Sequence, residues 1–212
     1  MKTARLPLAA VLLAATACST VKSYHLSPDW DGDRLKMKHL AAVTAVAWQV
    51  PNRELVQPPQ SVRGLISLMA RRYVNQKRNF IVKANLEAVP NSQSKEGVTL
   101  FVPQSVCVDG LDGVLWLDPK LSVQGTGVEA EIDAQLIRCS DGGVVWEAKG
   151  GNSWESVDPL LKETTAEYVS RFGPEVGPYV APTFRLLKAL LDTLPNVDLS
   201  DEETAEKIEL GD

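Results

Sequence analysis

Several sets of residues in this 212-residue chain have the type and spacing to do chemistry. "GTGVEA", residues 125–130, matches the G-x-G-x-x-A pattern in which backbone amides cradle a pyrophosphate, provided a helix begins directly after it. "DWDGDRL" sets Asp29, Asp31 and Asp33 at alternate positions, as calcium loops do. Carboxylates recur in close pairs, Glu129 with Glu131 and Asp109 with Asp112, which general acid–base catalysis would use. The thiols are Cys18, Cys107 and Cys139, an odd number that asks for a reason in an exported chain. Only two histidines exist, His25 and His39; they form no H-E-x-x-H motif or pair at helical spacing, so no metal site is expected. No G-x-S-x-G elbow presents a nucleophile.

The elements that would position these groups remove most of the chemistry. After Gly127, Val128, Ala130, Ile132, Ala134 and Leu136 alternate with Glu129, Glu131, Asp133 and Gln135. That period of two is a strand with one dry and one wet face, so residues 125–127 are a hairpin turn rather than a phosphate loop. The same alternation makes Glu129 and Glu131 surface charges. In an EF-hand, Gly and Glu would stand where this chain has Arg34 and Leu40, so a solvated turn is expected at residues 29–33, with weak calcium binding as the alternative. Trp116 and Trp146 lie among apolar strand residues and are expected in the core.

"HLAAVTAVAWQV", residues 39–50, reads as a buried strand stopped by Pro51, Pro58 and Pro59. A helix opens at Ser61, with Val62, Leu65, Ile66, Met69 and Tyr73 on one face and Arg71, Arg72, Lys77 and Arg78 towards its C-terminus. Residues 79–84 form a second strand, 85–97 a loop, and 100–108 a short helix or extended turn. A meander follows: a strand from Gly113 towards Val123 despite Pro119, the alternating strand, the turn Asp141-Gly142-Gly143, and "VVWEAKG". Asp158 and Pro159 cap a helix with Leu161, Thr165, Tyr168 and Phe172 on one face. Residues 173–178 break it, and a last helix spans 182–194 with Phe184, Leu187, Leu191 and Leu194. The fold class is α/β (α+β-like): a single mixed sheet of about five strands with helices packed mainly on one face.

The hairpin also aligns the two later cysteines. With a turn at 125–127, Cys139 falls opposite residues 111–113, and Cys107 enters the same strand a few residues upstream. The two sulfurs are within reach of a disulfide, whose Cα atoms stand ~5.5–6 Å apart. Two buried free thiols are the alternative.

Cys18 has a different setting. Lys2 and Arg5 precede an uncharged run, residues 6–17, too short for a membrane span and of the size of a secretory signal. Ala15-Thr16-Ala17 satisfies the small-residue cleavage rule. With Cys18 next, the segment resembles the lipobox of bacterial lipoproteins, although Ala15 stands where such boxes usually carry leucine. The resemblance implies that Cys18 takes a diacylglyceryl group and becomes the N-terminus. Cys107 and Cys139 would then be an even pair in an oxidising compartment. Loss of Lys2 and Arg5 from 22 basic residues leaves 20 against 27 acidic, a net charge of −7. Seven of the acids lie in residues 196–212, so the body is nearly neutral, and nucleic acid is not an expected partner.

The domains expected are a lipoprotein signal (1–17), a tether (18–37), an α/β domain (38–195) and an acidic tail (196–212). "HLAAVTAVAW", the helix up to "NFIV", "DGVLWL" and the strand into "DGGVVW" resemble the α/β domain of TolB N-terminal, CsgG and LpoB-type envelope lipoproteins, over roughly residues 38–155. The closing stretch "LLDTLPNVDLSDEETAEKIELGD" is similar to the end of an uncharacterised lipoprotein family. These likenesses bring no catalytic residue and no cofactor. They imply a non-enzymatic binding or scaffold module with envelope protein partners, anchored to membrane lipid through Cys18. Ser19 is not the Asp that, by resemblance to well-studied lipoproteins, implies retention at the inner membrane, so the outer membrane is expected, with the domain in the periplasm. The alternatives are a subunit of a CsgG-like secretion or envelope assembly, and an envelope hydrolase.

Overall fold

Alternation builds the centre of the fold. In the computed structural model, which describes residues 20–45, 59–87, 106–108 and 110–210, β4 (Gly113–Gln124), β5 (Gly127–Arg138) and β6 (Val144–Glu155) form an antiparallel meander. The signal segment, Cys18, residues 46–58 with Pro51 and Pro58, residues 88–105 and Asp109 lie outside the described residues. Gly125, at φ +61°, allows the tight two-residue turn between β4 and β5. Val128, Ala130, Ile132, Ala134 and Leu136 of β5 are buried, whereas Glu129 is exposed.

Pro119 sits within β4 and is tolerated for a positional reason. The Cys139 N–H donates to Asp112 O and the Ala45 N–H to Leu117 O, so even-numbered residues here face β5 and odd ones face away from it. β2 (His39–Thr44) pairs with β4 only as far as Leu117. The missing N–H of Pro119 therefore points to a side where no ladder among the described residues needs it.

β2 lies parallel to both β4 and β3 (Ile81–Glu87), with α2 (Gln60–Lys77) between β2 and β3 in sequence. This is the crossover that parallel strands require. β1 (Val21–Leu26) pairs antiparallel with β6, and the sheet order is β1-β6-β5-β4-β2-β3. Among the described residues six strands thus replace the expected five or so. The extra one lies within the segment read as a tether, residues 18–37. Its "VKSYHL" is polar and mostly exposed, so no hydrophobic pattern announces it; backbone pairing along the β6 edge holds it. The same segment contains the short helix α1 (Trp30–Asp33) and buries Trp30 and Met37.

The main core joins Leu40 and Ala42 of β2, Leu115, Leu117 and Leu121 of β4, the apolar row of β5, and Trp146 and Ala148 of β6 to α2 and to the helix α4 (Gly177–Leu191). α2 buries Val62, Leu65, Ile66, Met69 and Tyr73, the face its periodicity predicts. α3 (Lys162–Phe172) follows a 3-10 turn at Pro159–Leu161; of its expected stripe only Tyr168 is fully buried. α4 (Gly177–Leu191) begins five residues earlier than expected. Pro178 falls at its second position, where the N–H has no partner to lose, and Pro182 forfeits a single bond. Leu194 and Val197 continue into the core, so the tail begins later than residue 196. Its α5 (Asp201–Leu210) buries no residue. A second cluster, Ala41, Val43 and Val114 with Val106, Leu111, Trp116, Cys107 and Cys139, lies apart from the main core, so Trp116 packs there and Trp146 in the main core.

Candidate functional site

Cys107 and Cys139 are joined in a disulfide with Cα atoms 5.5 Å apart. The register places them: the Cys139 N–H donates to Asp112 O at 2.9 Å, so the end of β5 lies against the entrance of β4. The bond lines a cleft of about 500 Å³ walled by Lys36, Met37, Val108, Asp112, Arg138 and Ser140. Three of its charged side chains are engaged. Arg138 donates to Asp33 at 2.7 Å and to Asp141 at 3.0 Å, and Asp112 accepts the backbone N–H groups of Lys38 and His39. Asp33 is therefore a buried ion-pair partner and not part of a solvated turn, while Asp31 pairs with Arg34. Among the described residues no three His, Cys, Asp or Glu side chains are grouped to hold a metal ion. The glycine motif at residues 125–130 runs into β5, where no helix N-terminus can meet a phosphate.

His39 lies between carboxylates, Nδ1 at 3.3 Å from Asp112 and Nε2 at 3.0 Å from Glu206 of α5. With both ring nitrogens so occupied, neither is placed to take a proton from a nucleophile. The surroundings form a latch for the acidic tail. Lys83 contacts Glu206 at 3.0 Å, Lys38 contacts Glu203 at 2.8 Å, and Lys207 donates to Arg78 O at 2.5 Å. Lys83, then His39, hold the Glu206 carboxyl below the usual range; Lys38, then the Ser200 N–H, do the same for Glu203. The expected histidine at a strand start is thus a docking residue, and His25 is exposed on β1. Acid pattern alone could not assign the latch, because its cations come from β2, β3 and the residues before β2.

The wet face of the meander carries a carboxylate pair that the sequence does not single out. Asp118 and Asp133 stand directly opposite each other on β4 and β5. Burial, with the Asp133 charge, raises the Asp118 pKa above the usual carboxylate range, while Lys120 and Lys149 oppose the rise. Lys149 reaches Asp133 at 3.3 Å. Sequence spacing missed this pair because it depends on cross-strand register. Neither carboxylate lines the disulfide cleft.

The opposite end of the meander from the disulfide carries an apolar cleft of about 580 Å³, lined by Val157, Pro159, Thr165, Gly177 and Pro178 among others. Asp158 shapes its rim: the carboxylate accepts from the Leu160 N–H at 3.0 Å and is gripped by Arg185. Arg185, then the Leu160 N–H, hold its pKa below the ordinary value. Among the described residues no helix is long and apolar enough to cross a membrane.

No protein-family model matches this chain. No curated protein sequence matches it either. Among solved structures, it is similar to a PelC dodecamer from Paraburkholderia phytofirmans at 14% identity and a TM-score of 0.39, over 74% of this chain and 94% of that one. The hypothetical protein CT253 from Chlamydia trachomatis gives 10% identity and 0.42, over 74% and 95%. The lipoprotein GNA1162 from Neisseria meningitidis gives 15% and 0.34, over 62% and 96%.

Proposed function

We propose that this chain is a lipoprotein of the bacterial envelope, acylated on Cys18 and held at the outer membrane, whose α/β domain is a non-enzymatic binding or scaffold module in the periplasm. The observation that carries the reading is the bond between Cys107 and Cys139. It belongs to an oxidising compartment and leaves Cys18, directly after a signal-like run, as the odd thiol. An anchor there confines the domain near its partners and raises their effective concentration. The engagement of His39, Asp33 and Asp112 in structural contacts supports binding over hydrolysis. Intact mass of the membrane-extracted protein tests the anchor: a Cys18 N-terminus bearing acyl mass supports it, and an unmodified Cys18 overturns it. Crosslinking in intact cells identifies the partners, and a single discrete ring in native mass measurement would favour a CsgG-like assembly instead.

A further inference from the structure

The path of β1 fixes the end of the sheet at which the described chain begins, two residues after Cys18. Val21 pairs with Gly150, and the Gly151 N–H donates to Thr20 O at 2.9 Å. Because β1 runs antiparallel to β6, stepping back from Val21 leads towards the C-terminal end of β6. Cys18 is two residues before Thr20 and lies within about 7 Å of it along the chain. From Gly151, β6 continues four residues to Glu155, a further ~13 Å, and then enters the turn carrying Val157 and Leu160.

That turn holds the two most exposed large apolar side chains among the described residues, Leu160 at 89% and Val157 at 78%. Val123, 49% exposed, lies at the same end, opposite Val128, which in turn faces Trp154. The apolar side chains are presented by a fixed scaffold. The Ser156 N–H and Oγ both donate to Thr126 O, and Asp158 fastens the Leu160 backbone while Arg185 holds Asp158. Lys162 is flanked by Glu155 and Glu163, all exposed, so the patch offers no net positive charge to anionic headgroups. Its recognition chemistry is apolar.

We infer that this end of the domain rests on the membrane that holds Cys18, with Val157 and Leu160 seated at the headgroup–acyl boundary. The inference rests on the lipoprotein reading and deepens it by giving the domain an orientation. Exposed apolar side chains on a turn at the end of the sheet that the N-terminal strand enters are placed to seat at the boundary of the bilayer that holds the acyl anchor. The orientation places the disulfide cleft at the far end of β4, eleven residues or roughly 35 Å from the hairpin tip, facing away from the lipid.

The test uses the acylated protein that begins at Cys18, in vesicles of phosphatidylethanolamine and phosphatidylglycerol, with and without bromine on the acyl chains. Leu160→Trp places a fluorophore on the patch; Ile208→Trp, on exposed α5, is the control. Both positions are exposed, so neither variant disturbs packing. The emission added by Leu160→Trp is expected to shift to the blue and to be mostly lost in brominated vesicles, while that added by Ile208→Trp is unchanged. Equal behaviour of the two in protein that floats with the vesicles overturns the orientation and leaves the anchor standing. Protein that does not float, or lacks acyl mass on Cys18, overturns the lipoprotein reading and this inference with it.

Discussion

Replacing both bridged cysteines, Cys107→Ala with Cys139→Ala, tests the cross-link that the compartment argument depends on. The bond closes a loop of sequence separation 32. The chain-entropy relation gives about 3.7 kcal/mol at 25 °C for a loop of that length. Two features of the structure reduce the figure. The loop contains the whole β4–β5 hairpin, so residual pairing in the unfolded chain would already restrict it. The second apolar cluster keeps Ala41, Val43, Val114, Leu111 and Trp116 in place after the sulfurs are lost. A loss of about 2–4 kcal/mol is therefore expected. At ~2–4 °C per kcal/mol for a chain of this size, the midpoint falls by roughly 5–15 °C. Thermal unfolding of the full chain by circular dichroism, with and without a non-thiol reductant, measures it. The parent protein should lose that much on reduction, and the double variant should ignore the reductant. A variant that melts with the oxidised parent, or a parent indifferent to reduction, would refute the reasoning and remove the support the bond lends to an oxidising compartment.

Arg138→Met leaves Asp33, whose side chain is only 8% exposed, without its cation, and should cost about 2–3 kcal/mol in chemical denaturation, less than a fully buried pair because Arg138 itself reaches solvent. An accompanying Asp33→Leu should restore part of that loss. Glu203 and Glu206 have lowered pKa values in the folded state, so their contribution to α5 docking is complete above the ordinary glutamate value of about 4.3 and is lost as pH falls through the lowered ones. Hydrogen exchange across residues 201–210 should accordingly accelerate on acidification, and in Lys83→Gln at neutral pH, with global unfolding little changed. Gly150→Ala would set a methyl 2.7 Å from Thr20 O and 2.9 Å from Leu190 Cδ2. It should loosen the start of β1 at a cost of about 1–3 kcal/mol, visible as faster exchange at residues 20–23.

Legibility followed the range over which each signal acts. The alternation of β5 and the face of α2 were readable because each is a local pattern enforced by the core. The facing of Cys139 and the entrance of β4 was readable because a two-residue turn transmits register along a hairpin. β1 was not, since an edge strand with little buried surface carries no period, and "VKSYHL" reads as polar linker until β6 pairs with it. The start of α4 was missed because prolines that break a helix interior are tolerated near its N-terminus. Asp118 opposite Asp133, and the cations beneath α5, join residues distant in sequence and leave no local trace.

β1 also limits how an anchored module of this kind can associate. Among the described residues it is a terminal strand of the sheet, and the edge of a sheet invites a further strand from a second chain. Here the strand is six residues long, its register shifts between Val21 and Ser23, and Lys22 turns to Glu131 at 3.6 Å. Shortness, irregularity and an edge lysine are the devices that discourage strand addition. With Cys18 so close to Val21, the start of this edge would also lie against lipid in the orientation inferred above, where an approaching strand would compete with the bilayer. At the other terminal strand, β3, Lys83 is engaged by α5. Association through the wet face of the meander or the disulfide end then meets fewer obstacles than strand pairing. Crosslinks placed at Ser140 and at Tyr24 distinguish these routes: partner capture is expected at Ser140, and capture at Tyr24 alone would show that the β1 edge is the binding surface after all.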